Sequence, residues 1–191
     1  MDIEEAIYKR RTIRRFKQDP ISIETLKKLI DYARVAPMAR NVQALEFIIV
    51  NDDKVKEKLF PLLGWAASLP KEQRTPEPGR EPTAYIIVLV NKEIKQSYVD
   101  YDVGAAVENI LLGAISMGIG TCWMGSIKVT KIRKLFEIPD THEIKHVISL
   151  GVPDEESKME EIKDSYTYWK DNDGNMHVPK RILDDIILKI T

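Results

Sequence analysis

The sequence feature that most restricts the fold is the uninterrupted apolar run AYIIVLV at residues 84–90. A strand with one face in water alternates apolar and polar residues, whereas this run is apolar at every position. The run therefore predicts a strand at 84–90 that is buried on both faces. Such a strand needs other elements on both sides of its sheet.

The segments around this run carry alternating helix and strand patterns. Asp2 followed by Glu5 is a capping box that begins a first helix, which should end near Arg10. A long helix rich in small residues is predicted at 100–117, with Gly118 as its C-terminal cap. Further helices are predicted at 23–36, 52–63 and 131–137, and further strands at 47–50, 121–126 and 145–150. The alternation predicts an α+β fold with helices around one sheet.

Residues 1–191 are interpreted as one domain, but two of its segments are less regular. Residues 64–83 contain four prolines and are predicted to form a loop. The tail at 154–191 has a turn signal at 172–175, and Pro179 can begin a last helix. The apolar face of that helix would consist of Ile182, Leu183, Ile186, Ile187 and Ile190. It could pack on the chain's own core or on a partner subunit, and the pattern does not decide between them.

Charge and cysteine content narrow the classes of function. The 29 basic and 30 acidic side chains give a net charge of -1, which offers no long-range attraction for nucleic acid or an anionic membrane. Cys122 is the single cysteine, which rules out an intrachain disulfide and favours a reducing cytoplasm. The N-terminus is acidic and amphipathic, so no signal peptide is expected. The uncharged stretch 109–127 is long enough for a membrane span, but its glycines favour a buried helix, a turn and a strand.

Three apparent motifs give only weak support for a site. His142 and His146 could share one face, but their segment reads as a strand without a third ligand nearby, so no metal site is predicted. Cys122 lies in an apolar strand, where a free cysteine is usually a small buried hydrophobe. The glycine-rich segment 118–125 lacks the third glycine of a dinucleotide-binding loop, because Trp123 stands there. It also lacks the Lys-Ser/Thr pair of a phosphate loop.

Three separated segments remain as a candidate constellation. The first, RRTIRRF at 10–16, places four guanidiniums within six residues, and these repel one another unless an anion neutralises some of them. The second, at 36–43, has small and amide side chains that would let a planar ligand lie close to the backbone. The third is 118–125, whose glycines permit a close backbone approach. Taken singly, they are a solvated basic helix end, a polar loop and a helix-to-strand turn.

In this order the segments resemble the motifs of the nitroreductase family. The family's RRS-x-R-x-F-like box is here RRTIRRF, and its P-S-x-x-N-x-Q-P-W-x-F-like segment is here PMARNVQALEF. A D-x-G-A-A-x-x-N-like helix leading to G-x-G-T-x-W is matched by residues 102–123, and an L-G-x-P-like turn by LGVP. The resemblance covers residues 1–153, and in the tail only the basic pair Lys180 and Arg181 matches.

The resemblance implies an α+β fold with a central, mostly antiparallel sheet flanked by helices, assembled as an intertwined homodimer with FMN in the interface. It also implies that hydride passes from NADH or NADPH through flavin N5 to a small oxidised acceptor, nitroaromatic or quinone-like, by a ping-pong mechanism. The tail at 154–191 would then pack on the partner subunit. No catalytic acid or base is implied, and neither nucleic acid nor membrane is expected as a partner.

The same resemblance implies FMN contacts residue by residue. The phosphate and the ribityl chain would be held by Arg10, Arg11 and Thr12, with added charge from Lys180 or Arg181. Arg14 would reach the pyrimidine side, where a positive charge stabilises the anionic reduced flavin. The other implied contacts are Pro37, Met38, Ala39 and Asn41 along one side of the flavin, Met124 and Gly125 near its N5 atom, and Cys122 and Trp123 beside them.

Two departures from the family pattern affect the acceptor pocket. Ala44 and Leu45 replace a Pro-Trp pair, and Arg40 stands where a small residue is usual. If Arg40 points into the pocket, its charge favours acceptors with a negative group; otherwise it is solvated or pairs with Glu46. Other functions stay open from the sequence: a flavin-binding sensor or carrier, specialised chemistry such as reductive dehalogenation or flavin fragmentation, and an unrelated interaction module.

Overall fold

A five-stranded antiparallel sheet organises the fold, in a computed structural model that describes residues 1–95 and 97–191. β5 lies between β3 and β4, its last residues pair with β1, and β2 pairs with the other edge of β3. The strands are β1 (Phe16–Lys17), β2 (Leu45–Val50), β3 (Ala84–Asn91), β4 (Gly120–Met124) and β5 (His142–Pro153). The predicted α+β fold with an antiparallel sheet is confirmed.

Helices cover both faces of this sheet. The helices are α1 (Ile3–Lys9), α2 (Ile23–Arg34), α3 (Asp53–Leu59), α4 (Lys71–Arg74), α5 (Val99–Ser116) and α6 (Val129–Leu135). Single 3₁₀ turns occur at Ala39–Asn41, Phe60–Leu62 and Leu183–Asp185. One core lies between the sheet and the pair α2 and α5, and the other lies between the sheet and the pair α3 and α6.

The apolar run at 84–90 is the centre of both cores, as predicted. Even-numbered residues of β3 such as Ile86 and Val88 pack toward α2 and α5. Odd-numbered residues such as Tyr85 and Ile87 pack toward α3 and α6. Every side chain from 84 to 90 is at most 5% exposed, so the strand has no polar face. Burial on both sides is the physical reason that its sequence does not alternate.

The helix boundaries follow their capping residues closely. Asp2 begins α1, since its side chain accepts the backbone N–H of Glu5 at 2.8 Å. Ser22 begins α2 in the same way. Gly118, two residues after the end of α5, has φ +75°, the left-handed backbone conformation that a C-terminal glycine adopts easily. The turn places β4 directly after α5, so residues 109–127 are a helix, a turn and a strand, as predicted.

Three predicted boundaries differ from the structure. The helix predicted at 52–63 ends at Leu59, because Pro61 breaks the α-helical hydrogen bonds and a 3₁₀ turn follows. The loop predicted at 64–83 contains the single-turn helix α4. The strand predicted at 145–150 extends over 142–153. Gly151 stays within that strand because it pairs with Gly120 and lies under the ring of Phe16, where a Cβ atom would come within 2.7 Å.

The tail forms a second, three-stranded sheet rather than a final helix. Its strands are β6 (Ser157–Glu161), β7 (Trp169–Lys170) and β8 (Met176–Lys180). The helix predicted after Pro179 is wrong, because β8 runs through Pro179 and only the 3₁₀ turn follows. The five apolar residues assigned to that helix are between 41% and 86% exposed. A short helix without a packing partner is marginal in water, and the described residues provide none for these side chains.

A buried carboxylate fastens the tail to the N-terminal arginines. The Glu155 side chain is 2% exposed and accepts the backbone N–H of Arg14 at 2.6 Å. It also lies 3.4 Å from Arg15 Nη1 and 3.3 Å from Lys170 Nζ. Arg15 donates a further hydrogen bond to Glu77 at 2.6 Å, which lowers the pKa of Glu77 to about 2. This network compensates the buried charges of Arg15 and Lys170.

A helix that crosses a bilayer must be both long and apolar. Such a crossing needs about 20 predominantly apolar residues in helical form. Within residues 1–95 and 97–191, no helix meets both requirements. This agrees with the helix, turn and strand that occupy 109–127.

Candidate functional site

The arginine segment and the glycine-rich segment meet along β4. Thr12 forms a parallel bridge with Thr121, and the N–H of Ile13 donates to the Thr121 carbonyl at 2.9 Å. Gly120 makes this approach possible, because a Cβ atom there would lie 2.9 Å from Ile13 Cβ. Two of the three predicted segments are therefore joined by backbone hydrogen bonds.

Two cavities open beside this junction. One has a volume of about 290 Å³ and is lined by Arg10, Thr12, Glu108, Leu111, Thr121 and Trp123. The other, about 310 Å³, lies between the end of α1 and the turn at Gly118, Ile119 and Gly120, and Arg11 lines it. A larger cavity of about 690 Å³ lies between α3 and the start of β3, where the ammonium of Lys56 is already paired with Asp53 at 2.8 Å. The smaller cavities, which the arginines border, are the better candidates for an anionic ligand.

The two arginines at this junction are incompletely neutralised. Arg10 Nε lies 3.1 Å from Glu108 Oε1, but Arg11 has no carboxylate partner among the described residues. Arg11 donates from Nη1 to the Arg10 carbonyl, while its Nε is buried without a hydrogen-bond partner in the described chain. Burial and the neighbouring charge of Arg10 both lower the pKa of Arg11. An anion placed here would relieve both costs.

The other two arginines of the box have partners of their own within this chain. The Arg14 guanidinium lies 5.0 Å from the centre of the Tyr168 ring, a cation–π contact with the tail. Arg15 is 3% exposed and is held by Glu77 and Glu155, so it is a structural residue. The implied contact of Arg14 with the pyrimidine side of a flavin stays a prediction.

The loop at 37–43 is held against α5. Its Ala39 N–H donates to Asp102 Oδ1 at 2.8 Å, and Asp102 is 2% exposed. Met38 packs against the core on the same side of the sheet, whereas Pro37 is exposed. The second predicted segment, the loop at 36–43, is therefore fixed by α5, the helix that also provides Glu108 to the cavity.

This loop also has an unusual backbone conformation. Arg40, Asn41 and Gln43 all have φ 54°, in the left-handed region that costs a non-glycine residue about 1–3 kcal/mol. Residues in such conformations cluster at ligand sites, so the strain adds weight to the predicted role of the loop. Arg40 is exposed and makes no ion pair within 1–95 and 97–191. The pairing considered for it is not formed, since Glu46 accepts from Asn91 and contacts His142.

Side chains of the glycine-rich segment alternate across β4. Cys122 and Met124 are 5% and 3% exposed and belong to the core next to α3 and α6. Burial raises the pKa of the Cys122 thiol to about 11, which argues against a nucleophilic role. Trp123, by contrast, is 38% exposed and lines the smaller cavity. Contacts of Cys122 and Met124 with a ligand are therefore limited to backbone atoms.

A β-bulge in β5 separates the two histidines that the sequence suggested as a pair. Val88 pairs with His146 and Leu89 with Ile144, so Lys145 is an extra residue that reverses the side-chain alternation. His142 consequently lies on the other face from His146 and bonds Glu46 at 2.8 Å. His146 lies beside Trp123, with ring centres 5.3 Å apart and nearly perpendicular. A bulge has no clear sequence signal, so the sequence did not predict that His146 lies beside Trp123.

The basic pair of the tail is not brought to the arginine box within one chain. Lys180 ends β8, where it pairs with Glu161 and its carbonyl accepts the N–H of Ile162 at 2.8 Å. Arg181 donates to the carbonyl of Asp185. Among the described residues, no hydrogen bond or ion pair joins either residue to residues 10–14. A role at a phosphate would require the tail of a second copy.

Comparison with known proteins agrees with this arrangement of motifs. The model of the nitroreductase family matches residues 7–152. An Archaeoglobus fulgidus protein, provisionally named NADH dehydrogenase/NAD(P)H nitroreductase, is 32% identical over 167 residues, covering 84% of this chain and 90% of that protein. An FMN-dependent nitroreductase of Clostridium difficile has a similar structure, with a TM-score of 0.64 at 28% identity, covering 81% of this chain and 90% of that one.

A further similar structure includes the tail. It is a provisionally named nitroreductase of Desulfovibrio desulfuricans in complex with FMN, with a TM-score of 0.72 and 21% identity. The match covers 100% of this chain and 98% of that one, so the likeness in fold extends through both sheets. The motifs, their arrangement along β4 and α5, and the match over residues 7–152 lead to one assignment. The chain belongs to the nitroreductase family.

Proposed function

We propose that the chain is an FMN-dependent oxidoreductase that uses NADH or NADPH to reduce a small oxidised acceptor. Membership of the nitroreductase family supports the reaction class. The names of two relatives, an NAD(P)H nitroreductase and an FMN-dependent nitroreductase, support the donor and the cofactor.

The observation that carries the cofactor proposal is the incomplete neutralisation of two adjacent arginines: Arg10 is paired with Glu108, and Arg11 has no carboxylate partner among the described residues. A phosphate monoester brings up to two negative charges and several acceptor oxygens, which suits two adjacent guanidiniums. Each charge-assisted hydrogen bond would contribute about 1.5–3 kcal/mol. The buried Nε of Arg11, which has no partner in the described residues, would gain one. The same phosphate would offset the mutual repulsion of the two side chains.

The remaining surroundings suit the other parts of FMN. Thr12 and Thr121 line the cavity beside Arg10 and provide hydroxyl groups for a polyol chain. Trp123 on β4 provides a flat wall, and the exposed Gly125, directly after β4, provides an open backbone. When bound, FMN supplies the hydride transfer from the reduced nicotinamide to the acceptor. The chain's own residues bind, orient and exclude water, and none is proposed as an acid or base.

We infer that the functional unit is a homodimer. Apolar side chains of α1 and α5 are exposed in the single chain, among them Ile3, Ile7, Tyr8 and Tyr101 at 54% to 77%. The tail adds Leu188 and Ile190, which are 101% and 86% exposed. A second copy that covered these faces would bury apolar area and close the open cavities. It would also give the tail at 154–191 and the pair Lys180 and Arg181 a surface to contact.

One stacking surface is proposed to serve donor and acceptor in turn, which is a ping-pong mechanism. Nitroaromatics and quinones are suitable test acceptors. Parallel lines in initial-rate plots are expected, and intersecting lines would contradict a shared site.

The visible spectrum of the purified protein tests the whole proposal. A flavin spectrum near one FMN per chain is expected, with bleaching within seconds of adding NADH or NADPH without oxygen. A protein that binds FMN but is not bleached by either nucleotide would instead be a flavin-binding sensor or carrier. A colourless protein that does not take up added FMN would refute the cofactor proposal and leave an interaction module.

A further inference from the structure

His146 occupies a place in the molecule that neither its sequence pattern nor the family motifs explain. It lies on β5 at the bulge, on the same face of the sheet as Trp123, with the two rings edge to face at 5.3 Å and 86°. A Cβ atom on Gly125 would lie 3.5 Å from His146 Nδ1. The imidazole therefore lies against both the side chain and the backbone of the segment that borders the cavity.

The buried ring nitrogen of His146 is unusual. Its Nδ1 atom is buried and has no hydrogen-bond partner among the described residues. A neutral imidazole can leave such a nitrogen as a bare acceptor at moderate cost, whereas an imidazolium cannot. Edge-to-face packing against the indole also holds the imidazole in one orientation. The geometry is that of a rigid support behind an otherwise exposed tryptophan.

We propose that His146 is a positioning residue of the flavin site, whose neutral imidazole holds Trp123 and Gly125 in place along the cavity. The inference rests on the proposed function for its ligand, but the contacts on which it stands lie within this chain. Protonation would place a positive charge against Gly125 in a partly buried site, which burial disfavours although the Met124 carbonyl and Asp100 favour it. The supported segment at 123–125 would then loosen, and the flavin would bind less tightly.

The charges around the ring agree with a neutral form near pH 7. Burial is the largest cause and lowers the pKa of His146 from its ordinary value, and the neighbouring Lys145 lowers it further. The Met124 carbonyl and Asp100 on α5 act in the opposite direction. Lys145 is itself paired with Asp100 at 3.0 Å and Glu143 at 2.8 Å, which limits its effect. The support is therefore present at neutral pH and is lost as the pH falls through the lowered pKa of His146.

The test compares FMN affinity of the full-length protein at pH 7.5 and pH 5.5, measured by quenching of flavin fluorescence. His146→Phe keeps an aromatic ring but cannot be protonated, and His146→Ala removes the packing. His142→Phe is the matched control, since His142 lies on the same strand but on the other face and contacts Glu46. Tryptophan emission without FMN, corrected with Trp123→Phe, reports the surroundings of the indole independently of any ligand.

The FMN phosphate gains a proton between these two pH values, so the change in Kd of each protein is compared with that of His146→Phe. The wild-type protein and His142→Phe should lose roughly tenfold more affinity at the lower pH than His146→Phe does. His146→Ala should bind about tenfold more weakly than wild type at pH 7.5 and show no larger pH change than His146→Phe. Equal pH dependence of wild type and His146→Phe would overturn the inference. If no variant binds FMN, the proposed function fails, and the emission of Trp123 alone then tests the positioning role of His146. A pH response of this emission that persists in His146→Phe would overturn that role.

Discussion

Replacing Arg11 by alanine should separate the stability of the apoprotein from its affinity for FMN. Without an anion, the guanidinium is partly desolvated, stands next to Arg10 and has a buried Nε atom that lacks a partner in the described residues. Its retained bond is the one to the Arg10 carbonyl. Removing the side chain removes an unfavourable charge from the apoprotein, but it also removes a donor to a bound phosphate.

The two effects have opposite signs and different sizes. An unpaired buried donor costs about 1–3 kcal/mol and the hydrogen bond to the carbonyl returns about 0.5–1.5 kcal/mol. Because Arg11 is only partly buried, the Arg11→Ala substitution should raise the free energy of unfolding of the apoprotein by about 0.5–1 kcal/mol. That corresponds to a rise in Tm of about 1–4 °C for a chain of this size. Loss of one charge-assisted bond to phosphate, about 1.5–3 kcal/mol, raises the Kd for FMN roughly 10- to 150-fold.

Scanning calorimetry of the apoprotein and fluorescence titration with FMN measure the two quantities on the same samples. Arg34→Ala is the control, since Arg34 is an exposed arginine paired with Asp31 on α2. It should leave the Kd for FMN within twofold of wild type, as expected for an exposed, solvated ion pair that lines neither cavity beside Arg10 and Arg11. An Arg11→Ala protein that binds FMN as tightly as wild type would refute the reasoning. The reasoning would also be refuted if the Arg11→Ala apoprotein were destabilised as strongly as a protein that has lost one partner of a buried ion pair.

The other predictions concern the tail, the pocket and the dimer. Glu155→Ala should lower the stability by about 3 kcal/mol, because Arg15 and Lys170 lose a buried partner; a calorimetric loss under 1 kcal/mol would contradict this. His177 contacts Glu160 and Asp171, which raise its pKa. Its contribution to the stability of the tail sheet is therefore present below about pH 6.5 and is lost as the pH rises through the raised pKa. Hydrogen exchange, corrected for intrinsic rates, should show less protection of β8 at pH 8 than at pH 6. This difference should be absent in His177→Phe. Arg40→Ala should reduce kcat/KM for a carboxylated acceptor roughly tenfold more than for its neutral analogue; equal changes would place Arg40 outside the pocket. Light scattering should give a dimer of the 21.9 kDa chain, and deletion of 182–191 should weaken it, whereas a flavin-loaded monomer would exclude a shared site.

Local chemistry alone determined the elements whose signals lie within a few residues. The burial of 84–90 on both faces was predicted from its sequence alone, because the run is apolar at every position and offers no polar face to water. Asp2 and Ser22 begin their helices through bonds that span three residues. Gly118 ends the turn after α5 for an equally local reason, the left-handed φ that glycine adopts without cost.

Tertiary structure decided the features whose partners are distant in the sequence. The predicted arginine box is one motif, yet Arg15 became structural because it meets Glu155, 140 residues away. The bulge at Lys145 placed His142 and His146 on opposite faces and brought His146 to Trp123. The residues after Pro179 have an amphipathic pattern, but a pattern forms a helix only where a surface receives its apolar face. Sequence patterns determine which residues avoid water; only the assembled chain determines what they meet.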